Sequence, residues 1–179
     1  MTHGRDTQYA ACAFDFDGTL ADTADLDHRA VQASLAAHRI TVSLAWIASE
    51  PVFTAAQLRR RLGIRPPDLP QDTFAEAART YWFAHTDRIR SIAASNAADH
   101  AAITVVSANY SDVVRHGLEA MGVHDLPWTV VGREETPRTK PAPDGYLHAA
   151  RLLGITPHAA SHTRTPTTAS WQPYPQAWT

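Results

Sequence analysis

The residues best equipped for chemistry lie in three short stretches. In the first, Asp15-Phe16-Asp17-Gly18-Thr19, two carboxylates stand one residue apart at the end of the apolar run from Ala11 to Phe16. Two like charges at the end of a buried strand are costly unless a cation compensates them. A divalent cation with oxygen ligands does so, and Mg²⁺ suits the pattern, because it takes one or two carboxylates plus waters and phosphate oxygens. A carboxylate can also attack phosphorus while its neighbour serves as general acid and then base. Gly18 permits the sharp turn that brings backbone N–H groups toward an anion. In the second stretch Ser107, Ala108 and Asn109 follow the β-branched run Ile103 to Val106. A hydroxyl with backbone N–H groups at a strand's C-terminal end is a phosphate-binding arrangement. Taken alone, an ordinary strand-to-helix turn capped by Asn109 or Ser111 is the simpler reading of it. The third stretch, Arg138-Thr139-Lys140-Pro141-Ala142-Pro143, holds the chain's only lysine between fixed backbone positions. At a helix N-terminus that cation would balance the carboxylates and a transferring phosphoryl group. A solvated loop lysine is the plainer alternative.

The elements that must position these residues are an alternation of strands and helices. Ala11–Phe16, Ile103–Val106 and Trp128–Val131 read as short buried strands. Helices are expected over 111–121, closed by Gly122, and from Pro143 and Asp144 to Gly154, with Leu147, Ala150 and Leu153 inward. Strand, helix, strand, helix implies an α/β fold with a parallel, Rossmann-like sheet and crossover helices. Residues 22–90 carry only helical patterns. One spans 22–39 with Leu26, Ala30, Ala33 and Ala37 on a face. A second spans 54–62 and stops at Gly63. A third spans 73–87, with Thr73 and Glu76 as a capping box and Phe74, Ala77, Ala78, Tyr81 and Trp82 apolar. The expected organisation is a core of residues 1–21 and 91–157, a helical insert of 22–90, and an irregular tail of 158–179.

That tail differs in kind. From His158 to Thr179 there is no Asp, Glu, Leu, Ile, Val, Met or Phe, while Thr, Pro and Trp abound. The chain as a whole has 179 residues, enough for one domain, and 44% hydrophobic residues, enough for a core. Sixteen Lys and Arg against 18 Asp and Glu give a net charge of −2, which argues against a nucleic-acid partner bound through bulk charge. No apolar run is long enough for a membrane span, and the N-terminus has no secretory signal pattern, so a cytoplasmic location is expected. Cys12 is the only cysteine, so neither an internal disulfide nor a cysteine metal cluster can form. The ten histidines read as scattered surface groups, including His158 and His162, and Arg59-Arg60-Arg61 with Arg65 reads as a solvated helix face.

Taken together, the three stretches resemble the haloacid dehalogenase-like hydrolases, in the branch with a helical cap inserted after the first strand. FDFDGTLADT is similar to that family's first motif, ITVVSAN to its second, and KPAPDGYLHAARLLGI to its third. The resemblance implies a mechanism. Asp15 would attack phosphorus to give an aspartyl-phosphate, and Asp17 would protonate the leaving group and then activate water. Ser107 and the N–H groups of Gly18, Ala108 and Asn109 would hold the phosphoryl oxygens, and Lys140 would stabilise the anion. Mg²⁺ would bind the Asp15 carboxylate and the Asp17 carbonyl. The substrate would be a small phosphorylated metabolite. Asp17 sets this chain apart from the family's dehalogenases, which lack an acid there. Sugar-phosphate mutases of this branch carry a His two residues before the first cap-helix Arg; here Asp27 precedes Arg29 at that spacing, with His28 out of register.

The resemblance also implies a fourth motif, an apolar strand ending in acids, after Pro157. His158-Ala159-Ala160-Ser161-His162 offers neither strand signal nor acid. The expectation is a sheet incomplete at its C-terminal end, leaving the Asp15 strand as an edge. The chain would then be truncated or frame-shifted, and the alternative to a working hydrolase is an impaired or inactive relative that only binds.

Overall fold

A computed structural model of the chain describes residues 12–50, 54–92, 103–123, 128–155 and 161–163. The chain divides into two compact units, Thr23–Arg90 and the remainder, Met1–Asp22 with Ser91–Thr179.

The second of these is built on a four-stranded sheet in the order β5-β4-β1-β6, with every pair parallel. Its strands are β1 (Cys12–Phe14), β4 (Ile103–Val106), β5 (Trp128–Val131) and β6 (Ser161–Thr163). Two shorter strands, β2 (Ala21–Asp22) and β3 (Arg90–Ser91), lie where the chain passes between units. β1 aligns Phe14 with Val105 on one side and with Thr163 on the other. The central β4 is buried at all four positions, as expected of a strand covered on both faces. The covering helices are α5 (Ser111–Ala120) and α6 (Asp144–Leu152). α5 buries Val113, Val114, Gly117 and Leu118.

The sheet corrects one expectation outright. β6 lies beside β1 where no strand was expected, so the strand leading to Asp15 has a neighbour on each side and is not an edge. Ser-His-Thr carries no apolar signal, but a parallel ladder is made of backbone groups, which any non-proline residue supplies. The sheet is short all the same, at four strands among the described residues, and the tail beyond Thr163 lies outside them. The inward face of α6 is also revised. Gly145, Ala149 and Ala150 are buried, whereas Leu147 and Leu153 are half-buried and Leu152 is 54% exposed. Gly145 explains the shift: a Cβ there would stand 2.6 Å from a methyl of Val106, so the helix approaches the sheet along its small residues.

The helical unit holds α1 (Ala24–Ala37), α2 (Leu44–Ser49), α3 (Ala55–Leu62) and α4 (Gln71–Ala84). Val31, Leu35, Ile47, Ala55, Leu58, Leu69 and Phe74 form its core. Burying a side chain such as Leu35 fully is worth about 1.5–3 kcal/mol. The buried stripe of α1 is Leu26, Ala30, Val31, Ser34 and Leu35; Ala33 is half-buried and Ala37 exposed, because the larger Val31 and Leu35 take the core side. Ser34 is tolerated there because its Oγ–H donates to the Phe74 carbonyl at 2.7 Å. The expected Thr73–Glu76 capping box is absent, since α4 starts two residues earlier, after Pro70. A reciprocal box forms instead at Thr54 and Gln57, opening α3. Gly63 closes α3 with φ 66°, a left-handed turn in which the Ile64 N–H returns to the Arg59 carbonyl.

Candidate active site

Three turns at the C-terminal ends of neighbouring parallel strands gather the polar side chains, which is where open α/β sheets place ligands. The first turn follows β1 and is tied down at Phe16. Its ring is fully buried, and its carbonyl accepts N–H bonds from Thr19, Leu20 and Ala21 at 3.2, 3.0 and 3.1 Å. Gly18, with φ 71°, makes the reversal possible, and its N–H donates to the Ala21 carbonyl. With Phe16 pinned inward, the flanking Asp15 and Asp17 are half-buried. The Phe16 N–H donates to Asp15 Oδ1 at 2.8 Å, fixing that carboxylate's orientation.

The second turn follows β4. Ser107 is buried, and its N–H continues the sheet ladder to the Val131 carbonyl. Its Oγ–H donates to Asp17 Oδ2 at 3.1 Å and accepts the Asn109 N–H at 2.9 Å. Asn109 Oδ1 in turn accepts the Tyr110 N–H at 3.0 Å. Of the N–H groups expected to face an anion, that of Asn109 is therefore taken by the Ser107 hydroxyl and that of Gly18 by the Ala21 carbonyl in this state. Ala108 is exposed between Ser107 and Asn109.

The third turn precedes α6 and brings in Lys140. Its Nζ donates to Asp15 Oδ1 at 2.7 Å and to the Val106 carbonyl at 2.6 Å, and lies 5.4 Å from the Tyr146 ring centroid. A surface lysine would keep its head in water; this one is held by a carboxylate, a strand-end carbonyl and an aromatic face. Lys140 and Asp15 side chains are 22% and 33% exposed, so the pair is only partly screened by solvent. Arg138 and Asp144 clamp the ends of the same turn through two bonds of 3.0 and 2.7 Å. Hydrogen bonding from Arg138, the largest cause, holds the Asp144 carboxyl below its ordinary range.

Two bonded groups, Lys140 with Asp15 and Asn109 with Ser107 and Asp17, thus stand at adjacent strand ends, with Gly18 shaping the turn under the two carboxylates. Sequence reasoning missed the residues that support them. Tyr146 and Gly145 follow the third stretch directly, and a Gly in the first turn of a helix beside the strand run was the available signal. Gly132 is a second case: a Cβ there would lie 2.4 Å from the Ser111 N, so only glycine lets the β5 turn pass the start of α5. Glu134 accepts the Ser111 N–H at 2.9 Å and braces the same place.

The donor set fits a hard cation in part. Asp15 and Asp17 supply carboxylate oxygens of the kind Mg²⁺ takes, and Mg²⁺ commonly keeps several waters. Among the described residues, however, no group of three or more His, Cys, Asp or Glu comes together to hold a metal ion. In the helical unit, Asp27 accepts the Trp82 indole N–H at 3.0 Å, a role in packing. Burial lowers the pKa of His28, against a smaller opposing effect of Asp25. No described helix is long and apolar enough to cross a membrane.

The haloacid dehalogenase-like hydrolase family matches residues 9–162. Solved structures of the same fold include a hydrolase from Pseudomonas syringae, with a TM-score of 0.69 and 19% identity over 86% of this chain and 74% of that one. CbbY from Rhodobacter sphaeroides in complex with phosphate has a TM-score of 0.69 and 22% identity over 86% and 76% of the two chains. A putative phosphoglycolate phosphatase from Lactobacillus plantarum has a TM-score of 0.65 and 20% identity over 87% and 77%. No curated protein matches. With most of its length matched, from before the Asp15 strand to within β6, the chain belongs to the haloacid dehalogenase-like hydrolase family.

Proposed function

We propose that the protein is a Mg²⁺-dependent phosphomonoester hydrolase acting on a small phosphorylated metabolite through an aspartyl-phosphate. The observation that carries this reading is the 2.7 Å bond between Lys140 Nζ and Asp15 Oδ1, which joins residues from opposite ends of the chain at one strand end. A lysine there orients the Asp15 carboxylate for attack and meets the negative charge that grows on the phosphoryl oxygens in the transition state. Asp15 attacks phosphorus while Asp17 gives its proton to the leaving oxygen. Asp17 then takes a proton from the water that hydrolyses the acyl phosphate, restoring both residues. Asp17 accepts the one O–H of Ser107, so Ser107 orients the acid until substrate binds, when the same O–H would turn to a phosphoryl oxygen. Mg²⁺ would be held by the Asp15 carboxylate and the Asp17 carbonyl, and would supply charge neutralisation on the phosphoryl group. The helical unit Thr23–Arg90 would act as a cap that selects substrate and excludes water. The balanced charge and single cysteine suit a cytoplasmic enzyme with no nucleic-acid or membrane partner.

The experiment is phosphate release from an aryl phosphate, with Mg²⁺ and with a chelator, for this chain and for Asp15→Asn. Metal-dependent release that the substitution abolishes is the expected result. Equal background rates for both chains would overturn the reading.

A second reading, an impaired relative that mainly binds, is favoured by one observation: among the described residues no third His, Cys, Asp or Glu joins Asp15 and Asp17. Loss of an outer ligand costs about 10–100-fold in metal affinity or activity, so the expected turnover is slow.

A further inference from the structure

We infer that the coding sequence changes reading frame between codons 157 and 161, and that the frame beginning at the third base of each codon encodes the missing carboxylates beside Asp15. The use made of those carboxylates rests on the phosphatase reading; the frame itself does not.

β6 supplies the structural reason to look there. It pairs parallel with β1, Thr163 level with Phe14. A chain extending that register by one residue would set a side chain level with Asp15, one strand spacing of about 4.8 Å away. The position suits a second carboxylate for a cation held at Asp15. The translated frame encodes no acid anywhere from His158 onward.

The genetic code allows the neighbouring frame to be read from the amino acids alone, with N any base, R a purine and Y a pyrimidine. Take the third base of each codon with the first two of the next. Ser170-Trp171 then gives Leu, Met or Val whichever serine codon is used. Pro173-Tyr174 gives Leu, Ile or Val, and Ala177-Trp178 gives Leu, Met or Val. Trp171-Gln172 (TGG CAR) gives only Ala, Gln172-Pro173 gives Thr or Ala, and Gln176-Ala177 gives Ser or Gly. Tyr174-Pro175 gives Ser or Pro, and Pro175-Gln176 gives Ser, Pro, Thr or Ala. Large apolar residues are thus forced at i, i+3 and i+7, which is the spacing of an amphipathic helix. The frame beginning at the second base does nothing of the kind. It forces Gly at Trp171-Gln172 and again at Trp178-Thr179, and forces no large apolar residue between Thr167 and Thr179.

The same frame accounts for the strand. Ala160-Ser161, with a TCN serine, gives Phe, Leu, Ile or Val, and His162-Thr163 gives Tyr or His. If Thr163 is ACG and Arg164 is AGG, the next two residues are glutamate and aspartate. An apolar strand ending in acids, then a helical pattern, is what a parallel α/β sheet requires at this place. A single lost base, or two gained, produces the displacement.

The test begins with the nucleotide sequence of codons 157–179. The expected result is ACG AGG at codons 163 and 164, or another pair encoding at least one acid in that frame, with no stop. A pair encoding no acid there, or a stop codon in that frame, overturns the inference. The second arm compares this chain with one translated after a single base is inserted between codons 157 and 161. Mn²⁺ binding to each is read by calorimetry without substrate. About 10–100-fold tighter binding in the repaired chain is expected; equal affinity overturns the metal role of the encoded acids. Neither arm measures phosphate release, so a failure of the phosphatase reading would appear separately.

Discussion

The two units of this protein solve different physical problems. In the α/β unit the decisive contacts are few, polar and made at strand ends: Lys140 to Asp15, Ser107 to Asp17, the Asn109 N–H to Ser107. Each sits at the end of a rigid ladder, so small errors in the backbone would break it. The helical unit holds itself together with an apolar cluster, and Ser34 is a lone buried polar side chain among the described residues of α1. Its exposed faces carry ion pairs such as Arg29 with Asp25, which tolerate change. Removing atoms from the first unit should therefore cost chemistry, and from the second, stability.

Asp15→Asn should have the largest effect, lowering metal-dependent turnover by about 10⁴-fold or more with little change in melting temperature. Lys140→Ala should lower kcat by about 10²–10³-fold, by analogy with loss of one transition-state donor, and circular dichroism should stay unchanged. Leu35→Ala reverses the pattern. Its side chain is fully buried in the helical unit, and the cavity should cost about 2–5 kcal/mol in denaturant unfolding while leaving the Lys140–Asp15 contact in place. Ser34→Ala, which removes the bond to the Phe74 carbonyl, should cost about 1 kcal/mol. The smallest effect is a pH dependence at His28. Burial lowers its folded pKa below the ordinary value, so the unfolded chain binds the proton more readily. Its contribution is complete above the unfolded value of about 6.5 and is lost as pH falls through the folded value. His28→Gln should flatten that loss in unfolding measured across the acid side of neutrality; an unchanged slope would refute it.

How legible the molecule was follows the same division. The site turns could be read because each combines a residue type with a constraint: two carboxylates before Gly18, a hydroxyl after a β-branched run, the only lysine between prolines. The strands β4 and β5 and the helix α5 could be read from periodicity. α2, six residues long, was not foreseen, because so short a helix shows no period. α4 begins earlier than its sequence suggests because Pro70 already holds the extended backbone of an N-cap, which leaves Thr73 inside the first turn. The box at Thr54 and Gln57 carries the Thr-x-x-Gln signature and could have been found. β6 could not, since Ser161-His162-Thr163 pairs through backbone groups that leave no mark in composition. The supporting glycines 132 and 145 are visible as letters, but their close contacts belong to the fold.

The central claim is that Asp15 accepts the phosphoryl group. It is tested most directly by acid-quenching the protein during turnover of an aryl phosphate with Mg²⁺ and mapping the adduct by peptide mass spectrometry. The account predicts a phosphoryl group on the peptide containing Asp15, absent with chelator and absent in Asp15→Asn. Phosphate release that continues at the same rate in Asp15→Asn, with no adduct on that peptide in either chain, would contradict it.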